Sequence, residues 1–340
     1  MIDNQIITGI LSYGMSGRVF HAPFIEVNPN FKFHAVVERH HKSAQEKYPN
    51  VISYDRVEDL LNDPTIELVI VNTPNDTHVA YAEQALLAGK HVLIEKPFAP
   101  TAQEAARLYQ LAEEKGKHIL PYHNRRFDSD FMSLKEVVES NEIGRPIELH
   151  LRFDRYKPGI GAKVFKETKR AASGILYDLG SHLLDQAISL FGKPKSITKL
   201  KSTFREKSVV DDYGHVMLNY PSGVNVFITV SLLVADPQAS FVLHATKGSY
   251  IKHRSDVQEA QLLEGMLPNM PGYGEEAMDR EGVLTVAHTE DIREKQLLPS
   301  LKGDYMKVFD AVYQTIRHGL PYYVRKEEII WQLEILEPAK

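Results

Sequence analysis

Ile6-Ile7-Thr8-Gly9-Ile10-Leu11-Ser12-Tyr13-Gly14-Met15-Ser16-Gly17, running on into Arg18-Val19-Phe20, is the stretch that decides the fold. An apolar run of strand length stops at a loop whose glycines fall at the second and third places of G-x-G-x-x-G, with Ser12 at the first. Gly14 lets a backbone approach a pyrophosphate, and Gly17 lets the next helix pack tightly on the strand. The helix N-terminus then offers N–H groups and the positive end of its dipole to phosphates. Ser12, Gly14, Met15, Ser16 and Gly17 are therefore candidate nucleotide contacts. Taken alone, the same loop is also a plain strand–helix turn, so its surroundings carry weight.

Those surroundings repeat one grammar up to residue 123. Strand-like runs at 6–11, 31–37, 68–72, 91–95 and 118–122 alternate with amphipathic stretches at 79–88 and 103–114. Buried runs separated by helices imply a doubly wound parallel sheet with right-handed crossovers. After Asn124 the pattern changes to period two. Ile147, Leu149, Leu151 and Phe153 alternate with Glu148, His150, Arg152 and Asp154, and further segments follow at 196–204, 213–220, 224–234, 240–244 and 249–252. This predicts a largely antiparallel, open-faced sheet covered by helices on one side. The expected domains are 1–123, a dinucleotide-binding domain, and 124–340, an α+β domain for substrate and oligomerisation. Residues 304–318 and 326–336 read as closing helices, and 255–298 as an irregular excursion or subunit contact.

Composition removes several function classes. A net charge of −5 and pI near 6.3 give no electrostatic case for nucleic acid or an anionic membrane. With no cysteine there is no disulfide, thiolate zinc site or cysteine nucleophile. The 15 histidines include no H-E-x-x-H, so no metal is expected. No G-x-S-x-G elbow is present. The N-terminus lacks a signal-peptide pattern. The longest apolar stretch, about ten residues, is roughly half a membrane span. A cytoplasmic protein is expected.

Other motifs fall at the ends of predicted strands. Glu38 closes the second strand 21 residues after Gly17, where an acidic group would accept ribose hydroxyls. Arg39, His40, His41 and Lys42 follow and would suit a 2′-phosphate, so NAD or NADP are both open, with Glu38 tilting the reading to NAD. Val69-Ile-Val-Asn72-Thr73-Pro74-Asn75-Asp76-Thr77-His78 places Thr73, Pro74 and His78 at the same carboxyl edge. Glu95-Lys96-Pro97 ends another strand. Later comes Gly174-x-x-x-Asp178-x-Gly180-x-His182-x-x-Asp185 on a predicted helix.

Together these motifs resemble the glucose–fructose oxidoreductase/inositol dehydrogenase (Gfo/Idh/MocA) family. Gly14-Met-Ser-Gly-Arg-Val-Phe-His-Ala-Pro23, Tyr122-His-Asn-Arg-Arg-Phe127 and Leu176-Tyr-Asp-Leu-Gly-Ser-His-Leu-Leu-Asp185 are similar to its scyllo-inositol dehydrogenase-like branch. The resemblance spans the chain in order and departs from the pattern at Ser12 and at the mixed Glu38-Arg39 pair. It implies a Rossmann domain, an open-sheet C-terminal domain, and homodimers or homotetramers built through that sheet. It also implies NAD(P)-linked oxidation of a sugar or cyclitol hydroxyl, with Glu95, Lys96 and Pro97 near the cofactor and Asn124 near the nicotinamide or substrate.

The residues themselves suit that chemistry. Hydride loss from a secondary alcohol requires removal of the hydroxyl proton, and His182 is the expected general base, since imidazole titrates nearest neutrality. Asp178, four residues earlier, shares its helix face and would orient the ring or bind a neighbouring hydroxyl. Lys96 would donate to the reacting oxygen as charge develops on it. The three groups are expected to meet in a cleft between the domains. Arg125 and Tyr156 are further candidate substrate contacts; Asp185 reads as a hydrogen-bonding residue of the helix. Two alternatives stay open here: a tightly bound, recycled NAD serving epimerisation, elimination or glycoside cleavage, and a non-catalytic nucleotide-sensing regulator.

Overall fold

The computed structural model describes residues 4–161 and 167–338; within the 155–174 loop, residues 162–166 lie outside the described residues. The chain groups into two compact units. One holds the residues up to Asn124 with Glu259–Tyr273 and Tyr305–Ile330, the other Arg125–Gln258, Gly274–Asp304 and the residues from Trp331 on.

Six strands build the first unit: β1 (Ile6–Ile10), β2 (Phe31–Val37), β3 (Ile52–Tyr54), β4 (Leu68–Val71), β5 (His91–Ile94) and β6 (Ile119–Pro121). They lie in the order β3-β2-β1-β4-β5-β6, and all the pairs are parallel. The order reverses between β1 and β4, which opens a crevice at the carboxyl edge where such sheets take ligands. Ile70 and Val71 of β4 and Leu93 and Ile94 of β5 are fully buried, as strands covered on both faces must be. β3 is an addition to the expected five strands. It is three residues long with a serine at its centre, too short to show a period.

Local rules set the helices. Thr101 caps the helix Ala102–Glu114 by accepting the Glu104 N–H, and Ala105, Leu108 and Ala112 form its buried face. The helix Met306–His318, read as a closing helix, belongs to the first unit. Its Phe309 stacks on Phe24 with ring centroids 5.2 Å apart and meets Phe31 edge-on.

The second unit is an eight-stranded sheet. Its strands are β7 (Pro146–Asp154), β8 (Ser196–Ser202), β9 (Tyr213–Asn219), β10 (Asn225–Ser231), β11 (Phe241–Ala245), β12 (Gly248–Lys252), β13 (Gly282–Ala287) and β14 (Arg293–Leu298). The order is β14-β13-β12-β11-β7-β10-β9-β8, antiparallel except for β7 beside β10. Leu149, Leu151, Val226, Ile228, Val216, Leu218 and Leu243 are fully buried on one face. The other face carries a row in cross-strand register from edge to edge: Thr198, Met217, Phe227, His150, Val242, Ile251, Val283 and Leu297. β13 and β14 correct the expectation that 255–298 is irregular over its last part, 282–298. They form a hairpin that extends the sheet, and the polar run Arg293-Glu-Lys-Gln of the edge strand hides the period two. Among the described residues no helix is long and apolar enough to cross a membrane.

Candidate active site

In the first unit the glycine loop leaves β1 and enters a π-helical turn, Gly17–His21, that continues as the helix Ala22–Val27. Asn72, just past β4, donates through Nδ2 to the Ser12 carbonyl at 2.8 Å, tying the loop to the neighbouring strand. A Cβ on Gly17 would lie 2.1 Å from that same carbonyl oxygen, so no other residue fits there. Above Gly14 the space is open, since a Cβ would meet only Ser12 Oγ at 3.5 Å. Ser12 itself accepts the Gly14 N–H. This tight, open-topped turn fits a dinucleotide pyrophosphate lying on backbone.

Glu38 follows β2, but its carboxylate turns into the protein. It accepts from Ser43 Oγ (3.0 Å), Ser53 Oγ (2.8 Å) and the Ala44 N–H (3.2 Å), and the residue is only 7% exposed. Arg39, His40 and His41 are exposed beside it. Lys42 is committed elsewhere, to the Glu38 and Ser53 carbonyls and to Asp55.

The turns after β4 and β5 meet at His78. One ring nitrogen faces the Pro97 carbonyl at 2.8 Å and the other the Thr73 carbonyl at 2.9 Å. Burial holds this imidazole below its usual pKa against the pull of both carbonyls. His78 thus clamps Thr73-Pro74 to Lys96-Pro97, whose peptide bond is cis, and its ring is turned inward. Thr77 donates to the Pro74 carbonyl, leaving Thr73 to donate to Thr77 Oγ1. Lys96 is the second residue past β5, at the carboxyl edge of the sheet with the glycine loop. Glu95 beside it accepts from Ser16 Oγ (2.7 Å), His21 Nε2 (2.9 Å) and the Lys96 N–H (3.2 Å). Burial raises its pKa, but the His21 and Ser16 bonds and the Lys96 charge outweigh that and hold the carboxyl at about 2.

In the second unit Asp178 sits in a π-helical turn, Leu176–Gly180, and His182 is the second residue of the helix Ser181–Phe191 that continues from it. From Ile175 to Ile188 only Asp178 keeps part of its surface; His182 is 5% exposed. The stretch has an unusual inventory for a buried helix, with Ser181, His182, Asp185 and Gln186 all inside. Arg126 holds Asp185 through two bonds, 2.9 and 2.7 Å, and Gln186 Nε2 donates to the Arg125 carbonyl. The 125–126 turn is thereby fixed against the helix that carries His182, and Asn124 immediately precedes it. Tyr156 follows β7 in an isolated bridge to Leu233 and is 61% exposed. Among the described residues no group of three or more His, Asp or Glu side chains is arranged to hold a metal.

Some contributors are absent from the residues read as functional. His21 is one; its only sequence sign is a histidine on the apolar side of Val19-Phe-His-Ala. Asp211 is another. It accepts the Leu176 N–H at 3.0 Å and so anchors the start of the turn bearing Asp178. Gly174, with φ +96°, makes room for it, since a Cβ there would lie 2.2 Å from Asp211 Oδ1.

Comparison with known proteins places this geometry. The model of an oxidoreductase family with an NAD-binding Rossmann fold matches residues 6–123, and that of the Gfo/Idh/MocA C-terminal domain matches 131–251. The chain is 34% identical over 336 residues to scyllo-inositol 2-dehydrogenase (NADP(+)) IolW of Bacillus subtilis, covering 99% of this chain and 93% of the relative. It is 38% identical over 333 residues to the uncharacterized oxidoreductase YhhX of Escherichia coli, covering 96% and 94%. The solved structure of YvaA from Bacillus subtilis superposes with a TM-score of 0.93 at 32% identity, over 98% of this chain and 94% of that one.

Proposed function

The chain belongs to the Gfo/Idh/MocA oxidoreductase family and is an NAD(P)-dependent oxidoreductase; from that premise we propose that it interconverts a secondary hydroxyl and a carbonyl on a cyclitol or sugar, using NADP. The full-length relationship to an inositol dehydrogenase supports the substrate class. The observation that carries the cofactor choice is the inward-turned Glu38. The Glu38 carboxylate is taken up by Ser43, Ala44 and Ser53 rather than left to receive ribose hydroxyls, and the exposed Arg39 guanidinium beside it suits a 2′-phosphate. This reverses the tilt to NAD drawn from Glu38 in the sequence. NADP(H) supplies the hydride donor and acceptor when bound.

The chain's own groups handle the proton. His182 takes the hydroxyl proton in the oxidation direction and returns it in reduction. Asp178, four residues earlier on the same helical run, orients the imidazole or holds an adjacent hydroxyl. Lys96 donates to the reacting oxygen and stabilises negative charge on it, an electrostatic contribution made in the transition state. Asn124, Arg125 and Tyr156 contribute substrate contacts. We further propose that a second copy of the chain covers the open sheet face, whose row runs through Met217, Phe227, Val242, Ile251 and Val283 to Leu297. The test of the activity is reduction of NADP, against NAD, by the purified protein with a panel of inositol isomers and aldoses. Turnover with one of them, faster with NADP, is the expected result. No turnover across the panel despite saturating nucleotide would overturn the substrate class.

A further inference from the structure

Glu95 carries more contacts than cofactor binding alone requires. Its Oε1 accepts both the Ser16 hydroxyl (2.7 Å) and His21 Nε2 (2.9 Å), while Oε2 takes the Lys96 N–H (3.2 Å). Ser16 immediately precedes, and His21 ends, the π-helical turn that follows the glycine loop. The His21 side chain is fully buried, its ring 4.5 Å from that of Tyr122, and Tyr122 in turn donates its hydroxyl to the Phe20 carbonyl. Its other nitrogen, Nδ1, is buried without a hydrogen-bond partner among the described residues. A histidine sunk in an aromatic pocket with one nitrogen unused gains little from burial by itself. Its placement makes sense through the carboxylate that it touches. The wider π turn matters too, since turns of this kind recur at functional sites and shift the side chains that follow them.

We propose that Ser16 and His21 are positioning residues that act through Glu95, forming a strut that locks the glycine loop to the backbone of Lys96. The strut sets the phosphate cradle and the hydrogen-bonding lysine in one fixed spacing. It rests on the reading of Lys96 as the donor to the reacting oxygen. The charged and titratable groups facing Glu95 are His21, Lys96 and His78. Removing His21 leaves the carboxylate held by Ser16 and Lys96 and takes away the contacts that lower its pKa most, so its titration moves upward.

The test uses His21→Leu, which keeps the apolar volume, His21→Gln, which keeps a donor, and Ser16→Ala, which lies outside the core. NADPH affinity of the free protein is measured by fluorescence titration from pH 5 to pH 8, with kcat and KM measured separately. The strut predicts at least a tenfold loss of NADPH affinity in His21→Leu that deepens toward acid pH, a smaller loss of the same shape in Ser16→Ala, and partial recovery in His21→Gln. It also predicts a fall in kcat beyond the change in KM for nucleotide. Wild-type affinity and pH dependence in Ser16→Ala and in a folded His21→Leu would overturn it. Should His21→Leu fail to fold, the pH dependence of the loss in Ser16→Ala decides: a loss that deepens toward acid pH supports the strut, and a pH-independent loss, as from a missing nucleotide contact, overturns it. Failure of the wild type to bind NADPH would instead overturn the proposed function, so the two failures are distinct.

Discussion

The proposed chemistry turns on Lys96 and His182, and their removal has a defined signature. His182→Ala is expected to lower kcat by roughly 10²–10⁴-fold, the usual contribution of a positioned base, with NADPH affinity nearly unchanged, and Lys96→Ala to lower kcat by roughly 10²–10³-fold, as for loss of a donor to a developing charge. Steady-state kinetics paired with nucleotide titration reads both. Arg39→Ala is expected to weaken NADP binding by roughly 10–100-fold, the loss of charge-assisted hydrogen bonds, and to leave NAD almost untouched. Glu95 gives a pH prediction. Its folded pKa, about 2, lies below its ordinary value of 4.5, so its contribution to stability is complete above pH 4.5 and is lost as pH falls toward 2. Chemical denaturation across that window should show Glu95→Gln flattening the acid loss.

At the level of elements, the turn that presents Asp178 depends on a glycine and an aspartate from distant parts of the chain. Gly174→Ala forces a side chain into a positive φ and onto Asp211, and is expected to cost about 1–3 kcal/mol in a denaturant titration. A wild-type midpoint would contradict the role given to that backbone. The same element shows what could be read from residues alone. The parallel sheet was legible because buried strands between helices leave long apolar runs, and the His182 helix because Asp178, His182 and Asp185 keep helical spacing. Glu38 was not, because nothing in Val37-Glu38-Arg39 reveals that Ser43 and Ser53 fold back onto the carboxylate. β14 escaped for a related reason: an edge strand is satisfied by polar residues, and its pairing is set by β13 rather than by its own pattern. Long-range partners, unlike periodicity, leave no local mark.

For the whole molecule, the open sheet face and the redox assignment are the claims to test. Phe227, stacked at 4.9 Å on His150, lies mid-row on that face. Phe227→Glu is expected to weaken self-association by roughly 30-fold or more, as for a buried interface aromatic, and sedimentation equilibrium would show it. A wild type that sediments as a monomer at every concentration would contradict the proposed partner. The measurement that tests the central claim most directly is label transfer from NADPH carrying deuterium at both hydrogens of the nicotinamide C4 to an inositol ketone. The account predicts deuterium at the new carbinol carbon of the product, and its disappearance in His182→Ala and Lys96→Ala. Label that stays wholly in the nucleotide, with NADPH demonstrably bound and the ketone at saturating concentration, would contradict it.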